Sequence, residues 1–209
     1  AQLIEAATDR HVWAESYERD LRDVLGLQSE VARTIAREIR VTLTPEEHAR
    51  LAGSGEVGRA AYEAYLKGRY HSAQRTEAGL RKEVEYLEEA IRKDPMYAPA
   101  YSGLADSYLL LAAWGYDAML ANGPRARAAA EKALEIDGDL AEGHASLALI
   151  LGTFDWKRDE AEKEFRAAIA LNPGNVQARY WYAAFLSENA RGDEAIAAAK
   201  VAASLDPLS

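Results

Sequence analysis

From residue 60 onward the apolar positions recur three and four residues apart, the spacing of a helix that buries one face. The pattern comes in short blocks, each closed by a polar residue followed by proline or glycine. It predicts helices over Ala60–Ser72, Glu77–Lys93, Pro99–Ala113, Arg125–Ile136, Leu140–Gly152, Asp159–Leu171, Val176–Asn189 and Asp193–Leu205. The closing pairs are Asp94-Pro95, Asp137-Gly138, Asn172-Pro173 and Asp206-Pro207, spaced by 43, 35 and 34 residues. Two helices per period give four hairpins, over about 60–94, 96–137, 139–172 and 174–206. The longest period carries extra residues, most simply placed at Trp114–Gly123 between its two helices.

Aligning the periods shows which positions are constrained. A large residue stands at Leu104, Leu147 and Tyr182, followed each time by alanine (Ala105, Ala148, Ala183) and one turn later by Tyr108, Leu151 and Leu186. In the second helices Ala126, Ala161 and Ala195 share one column, and Ala90, Ala133, Ala168 and Ala202 another. Small residues let two helices approach, and large ones fill the neighbour's grooves. One hairpin leaves apolar surface open, so stacking completes the core. The match is uneven in places. Tyr101 is followed in its column by His144 and Arg179, with Trp181 nearby to supply bulk, and Glu83 stands where the other second helices have alanine.

A period of roughly 34 residues built from two helices, with these columns and breaker residues, resembles the tetratricopeptide repeat. The resemblance covers residues 59–209 and implies an all-α, right-handed superhelix of about four hairpins that binds a protein or peptide. In such arrays the first helices line a concave groove. Carried over residue by residue, that geometry points to Ser102, Asp106, Leu109, Ala145, Leu149, Tyr180, Ala184 and Ser187. The chaperone-binding subclass uses Lys and Asn at matching places to clamp a carboxylate. Here those places hold Ser102, Asp106, Ala145, Leu149, Tyr180 and Ala184, so that clamp is missing and weak salt dependence is expected.

The opening of the chain follows another pattern. Ala1–Ala6 and His11–Tyr17 predict two short strands around Ala7-Thr8-Asp9-Arg10. Leu27, Val31, Ile35, Ile39 and Leu43 then form a helical stripe, and Thr44-Pro45-Glu46-Glu47 opens a further short helix. Gln2-Leu3-Ile4, Ala7-Thr8-Asp9-Arg10-His11, Trp13-Ala14-Glu15, Tyr17-Glu18-Arg19-Asp20-Leu21, Leu27-Gln28-Ser29-Glu30-Val31-Ala32 and Leu43-Thr44-Pro45 resemble the end of a TolB-like region over residues 1–52. In that family the region precedes repeat arrays in multidomain bacterial regulators. Gly53-Ser54-Gly55-Glu56-Val57-Gly58 spells GxGxxG, but a dinucleotide fingerprint needs a strand before the loop, and the preceding residues read as helix. Residues 53–58 are expected to be a linker.

Composition narrows the function. The chain has 209 residues, 49% of them hydrophobic, with no cysteine and a net charge of −9. It can build a core, and it offers neither disulfides nor thiolate metal sites. The acidic balance argues against a nucleic-acid surface, which needs clustered Lys and Arg. No run of roughly 18 apolar residues predicts a membrane span. No basic start suggests a signal peptide at Ala1, and the cytoplasm is the expected compartment, with an extracytoplasmic alternative if a span precedes this segment. His11, His48, His71 and His144 are scattered, and acidic residues such as Asp155, Asp159 and Glu160 fit helix starts. No cofactor, metal or catalytic residue is assigned. The expected function is a non-catalytic scaffold within a larger bacterial signalling protein. Self-association through uncapped ends, or a nucleotide-binding enzyme fragment, are the alternatives.

Overall fold

The computed structural model describes residues 2–5, 10–14 and 58–206. Two short strands open the chain. β1 (Gln2–Glu5) and β2 (Arg10–Ala14) pair antiparallel, Leu3 opposite Trp13 and Glu5 opposite Arg10, with a register shift between Leu3 and Ile4. The expected stripe from Leu27 to Leu43, the helix opened by Thr44-Pro45, and all but the last residue of the glycine linker lie outside the described residues.

The array is eight helices among the described residues: α1 (Arg59–Ser72), α2 (Glu77–Lys93), α3 (Ala98–Ala113), α4 (Met119–Ile136), α5 (Ala141–Thr153), α6 (Arg158–Leu171), α7 (Val176–Glu188) and α8 (Gly192–Leu205). It forms a compact unit of its own, Ala60–Ser209. Helices pair in chain order, and α3, α5 and α7 also pack against one another as successive first helices.

The breaker pairs work by one repeated device. The amides of Asp94, Asp137, Asn172 and Asp206 donate to the carbonyls of Ala90, Ala133, Ala168 and Ala202, closing the last turn of each second helix. The side chain of the closing residue then accepts an amide two residues on. Met96 N donates to Asp94 Oδ1 (2.9 Å), Asp139 N to Asp137 Oδ1 (3.1 Å) and Gly174 N to Asn172 Oδ1 (3.1 Å). This Asx turn is why Asp or Asn, rather than any polar residue, precedes the breaker. The helix starts differ more. Thr76 Oγ1 caps α2 through Gly79 N (3.0 Å), and Asn175 Oδ1 caps α7 through Ala178 N (2.9 Å).

Within each hairpin the reversal uses one residue in left-handed backbone: Arg75 (φ 50°), Gly115 (φ 77°), Trp156 (φ 58°) and Ala190 (φ 59°). Only the second hairpin meets that demand with glycine, the residue that adopts it without steric cost. The other three carry a cost of roughly 1 kcal/mol each, offset by the packing of the helices they join.

One helix start departs from the sequence expectation. α4 begins at Met119, so the latter half of the Trp114–Gly123 stretch is helical rather than loop. Gly123-Pro124 looks like a stop, yet both lie inside the helix. Pro124 removes the bond to the carbonyl of Leu120 in the first turn, a residue that is itself 85% exposed. Asn122 is buried and its Nδ2 donates to Tyr108 O (3.2 Å) and Asp117 Oδ2 (3.0 Å). Gly123 accommodates the Phe154 ring, which would stand 2.6 Å from a Cβ placed there. The turn is held by these contacts, not by helix propensity.

The best-packed region is the third and fourth hairpins. Leu151, Ala161, Phe165, Ala168, Trp181, Phe185 and Leu186 form one buried cluster, with Leu147 and Tyr182 partly buried against it. The unequal column Tyr101, His144 and Arg179 also has a common task. Tyr101 Oη donates to Pro95 O (3.2 Å), His144 Nε2 lies 3.0 Å from Gly138 O, and Arg179 Nε donates to Pro173 O (2.8 Å). Each side chain reaches back six residues and fastens the preceding turn. His144 adds a second contact, Nδ1 to Glu164 Oε2 at 2.5 Å, joining α5 to α6.

Candidate functional site

The first helices of all four hairpins converge on one pocket of about 190 Å³. α1 supplies Tyr65 and Arg69, and α3 supplies Ser102 and Asp106. α5 supplies Glu142 and Ala145, and Asn175, Gln177 and Trp181 come from the start of α7. The helical periodicity explains the choice. Tyr65 and Arg69, Ser102 and Asp106, and Gln177 and Trp181 are each four residues apart, so each pair stacks on one helix face.

The polar groups form two connected sets. In the first, Arg69 Nη1 donates to Glu83 Oε1 (2.9 Å) on α2, whose Oε2 accepts from Ser107 Oγ (2.9 Å). Glu83 is fully buried, and burial pushes its carboxyl up in spite of Arg69. In the second, Ser102 Oγ lies 3.0 Å from Ser146 Oγ, which donates to Asp106 Oδ1 at 2.6 Å. The Ser146 hydroxyl also lies 2.9 Å from Glu142 O. Burial pushes Asp106 up to about 7, against the pull of Ser146 and Arg69, while the Glu83 and Glu142 carboxylates push the same way. Burial likewise raises the Tyr65 phenol.

The Asp106 shift has a stability consequence with a definite sign. The folded value lies above the ordinary aspartate range, so the native state keeps a proton that the unfolded chain releases. That contribution is fully present below about pH 4 and lost as pH rises through about 7. Asparagine stays neutral and keeps an acceptor for Ser146. Asp106→Asn should therefore match the native chain near pH 4 and exceed its stability near pH 8 by about 1–3 kcal/mol, a range discounted for partial exposure. Urea melts of both proteins at the two pH values check this, and an equal difference at both would contradict it.

Ser102, Asp106 and Ala145 of the expected groove residues meet in this pocket. Tyr180 lies beside Trp181 and is 59% exposed. Leu149 and Ala184 are half-buried, Leu149 against the main core cluster, and Ser187 is exposed. Leu109 is a correction. At 3% exposure its side chain is closed to a ligand. The reason is that α3 is packed by α2, α4 and α5 at once, which leaves few of its positions facing outward. The pocket also adds residues the sequence reading did not place in the groove: Tyr65, Arg69, Glu142, Asn175, Gln177 and Trp181. Tyr65 and Arg69 belong to the first hairpin, whose columns are the weakest. With Arg69, Asp106 and Glu142 in its walls the groove is charged, so the expectation of weak salt dependence is dropped.

The family model described as Tetratricopeptide repeat matches residues 157–208, the second helix of the third hairpin and the fourth hairpin. A solved thermophilic TPR protein from Thermus thermophilus superposes with a TM-score of 0.60 at 19% identity, covering 89% of this chain and 90% of that one. The array has the TPR fold. A curated relative, "Putative adenylate cyclase 3" of Rhizobium meliloti (strain 1021), is 34% identical over 166 residues, which is 78% of this chain. The chain spans 28% of the length of that relative. Among the described residues no TPR helix is long and apolar enough to cross a membrane.

Proposed function

We propose that this chain is a non-catalytic scaffold that binds an extended peptide or a protein segment on the inner face of its TPR array. The observation that carries the reading is the convergence of α1, α3, α5 and α7 on a single pocket. Four successive first helices contribute polar and aromatic side chains there, the composition of a recognition groove rather than of a dry interface. Tyr180 extends the same strip. It stands two residues before the large-residue column of α7, the place Ser102 and Ala145 hold in α3 and α5, and it is open to solvent.

The likeness to a much longer relative named as a cyclase supports placing the array in a larger bacterial signalling protein. On this reading residues 1–52 are the end of a TolB-like region, 53–58 a linker, and occupancy of the groove is passed to an output domain. The cytoplasm is the proposed site of action. Self-association is a second reading, favoured by Ile196, Val201 and Leu205, which are exposed on α8. Light scattering on Val201→Glu and native chains separates it from ligand binding.

The test of the groove is binding by an exposed residue that the fold does not need. Aromatic anchors at peptide interfaces cost about 2 kcal/mol or more on truncation. For a peptide selected from a displayed random library, Tyr180→Ala should weaken binding by roughly tenfold or more in calorimetry, with unchanged circular dichroism. Unchanged affinity would remove Tyr180 from the binding surface. A nucleotide titration with measurable heat would favour the enzyme alternative.

A further inference from the structure

We infer that the pocket between α1, α3, α5 and α7 receives one cationic side chain, lysine or arginine, of the bound segment. The inference rests on the groove reading and names what that groove selects. The walls carry two carboxylates, Asp106 and Glu142, and one guanidinium, Arg69. Arg69 already serves the fully buried Glu83 at 2.9 Å, with its own side chain 37% exposed. Asp106 and Glu142 are held by neutral donors instead: Ser146 Oγ at 2.6 Å and Asn175 Nδ2 at 3.4 Å. A neutral hydrogen bond positions a carboxylate without cancelling its charge, so the pocket retains negative potential that a guest cation would meet.

Shape agrees with charge. A volume of about 190 Å³ holds about six waters, the room of a single long side chain. Tyr65 and Trp181 give it aromatic walls, against which an alkyl stem packs and a guanidinium plane stacks. An anionic guest would face Asp106 and Glu142 with Glu83 behind Arg69. The same charges that attract a cation therefore exclude a carboxylate tail.

The raised Asp106 carboxyl gives the inference a pH signature. Burial is what lifts it to about 7, with Glu83 on α2 and Glu142 on α5 adding to the rise and Ser146 on α5 and Arg69 on α1 opposing it. A cation entering beside it favours the ionised form. Binding should then release a proton and strengthen as pH rises through about 7.

The experiment uses the whole chain and a positional library of N-acetylated, C-amidated heptapeptides, with affinity measured near pH 8 and near pH 6. Selection of Arg or Lys at one position is expected. Replacing that arginine by citrulline, a neutral isostere, should cost roughly tenfold to a hundredfold in Kd, the range for a hydrogen bond to a charged group. Asp106→Asn and Glu142→Gln should produce comparable losses, and Asp106→Asn should flatten the pH dependence. Glu142 is exposed, so Glu142→Gln leaves the fold intact even if the other variant does not. Heptapeptides that bind and still lose affinity with Tyr180→Ala, but select acidic or apolar residues or tolerate citrulline, would overturn this inference and leave the groove reading standing. No heptapeptide binding at all would overturn both.

Discussion

Phe165→Ala should destabilise the chain by about 3–5 kcal/mol, the range for removing a fully buried aromatic ring. Phe165 has no exposed surface and lies on α6 between the third and fourth hairpins. Its ring centroid is 5.6 Å from that of Tyr182 and 5.5 Å from that of Phe185, both on α7. Truncation therefore removes contacts within its own hairpin and across the junction to the next. In a stacked array stability is the sum of hairpin interiors and the junctions between neighbours, so both losses count. Alanine already occupies the adjoining positions Ala161 and Ala168, which have no longer side chain to swing into the void. Urea melts followed by circular dichroism measure the loss. A change below about 1 kcal/mol would mean that the site collapses without cost and that the junction is not the packed core described.

Glu83→Ala should also destabilise, by about 2–4 kcal/mol, although it installs the residue that the other repeats carry. Ala126, Ala161 and Ala195 occupy the corresponding place in α4, α6 and α8, and all are buried. A reading by repeat column alone predicts that alanine is better here. The structure predicts the opposite. Glu83 is fully buried and bonds Arg69 and Ser107, so its removal orphans a guanidinium and opens a void in the first hairpin. Breaking a buried pair by deleting one partner typically costs about 3–5 kcal/mol, and the partial exposure of Arg69 reduces that. Glu83→Gln, which keeps volume and an acceptor, should lose less than Glu83→Ala. Equal stability of the alanine variant and the native chain in urea would show that the pair has no net value.

Much of this fold was legible because repetition averages out local ambiguity. The alanine columns and the Asp or Asn before each breaker mark helix ends that the structure places within a residue or two. The exceptions each have a local cause. Gly123-Pro124 reads as punctuation, and only the burial of Asn122 and the Phe154 ring against Gly123 reveals a helix running through it. Tyr101, His144 and Arg179 look like a degraded column, because a shared task of bonding a carbonyl six residues back is invisible to a comparison of side-chain sizes. Leu109 looks available on a helical wheel, which does not show that α3 is enclosed by three helices. Arg69 could have been found from its partner: an acidic residue in an alanine column implies a buried cation nearby. Trp181 was noticed as bulk rather than as a pocket wall, since both roles suit a tryptophan at that turn.

The central claim is that the inner face of α1, α3, α5 and α7 is the binding surface. The most direct test is a map of amide shifts in nuclear magnetic resonance when the best library heptapeptide is titrated into the intact chain. The account predicts that the largest perturbations fall at Tyr65, Asp106, Ala145 and Trp181, with Tyr180 at the margin. Perturbations centred on Ile196, Val201 and Leu205 of α8, or on the exposed Trp156 turn, with the inner face unchanged, would contradict it.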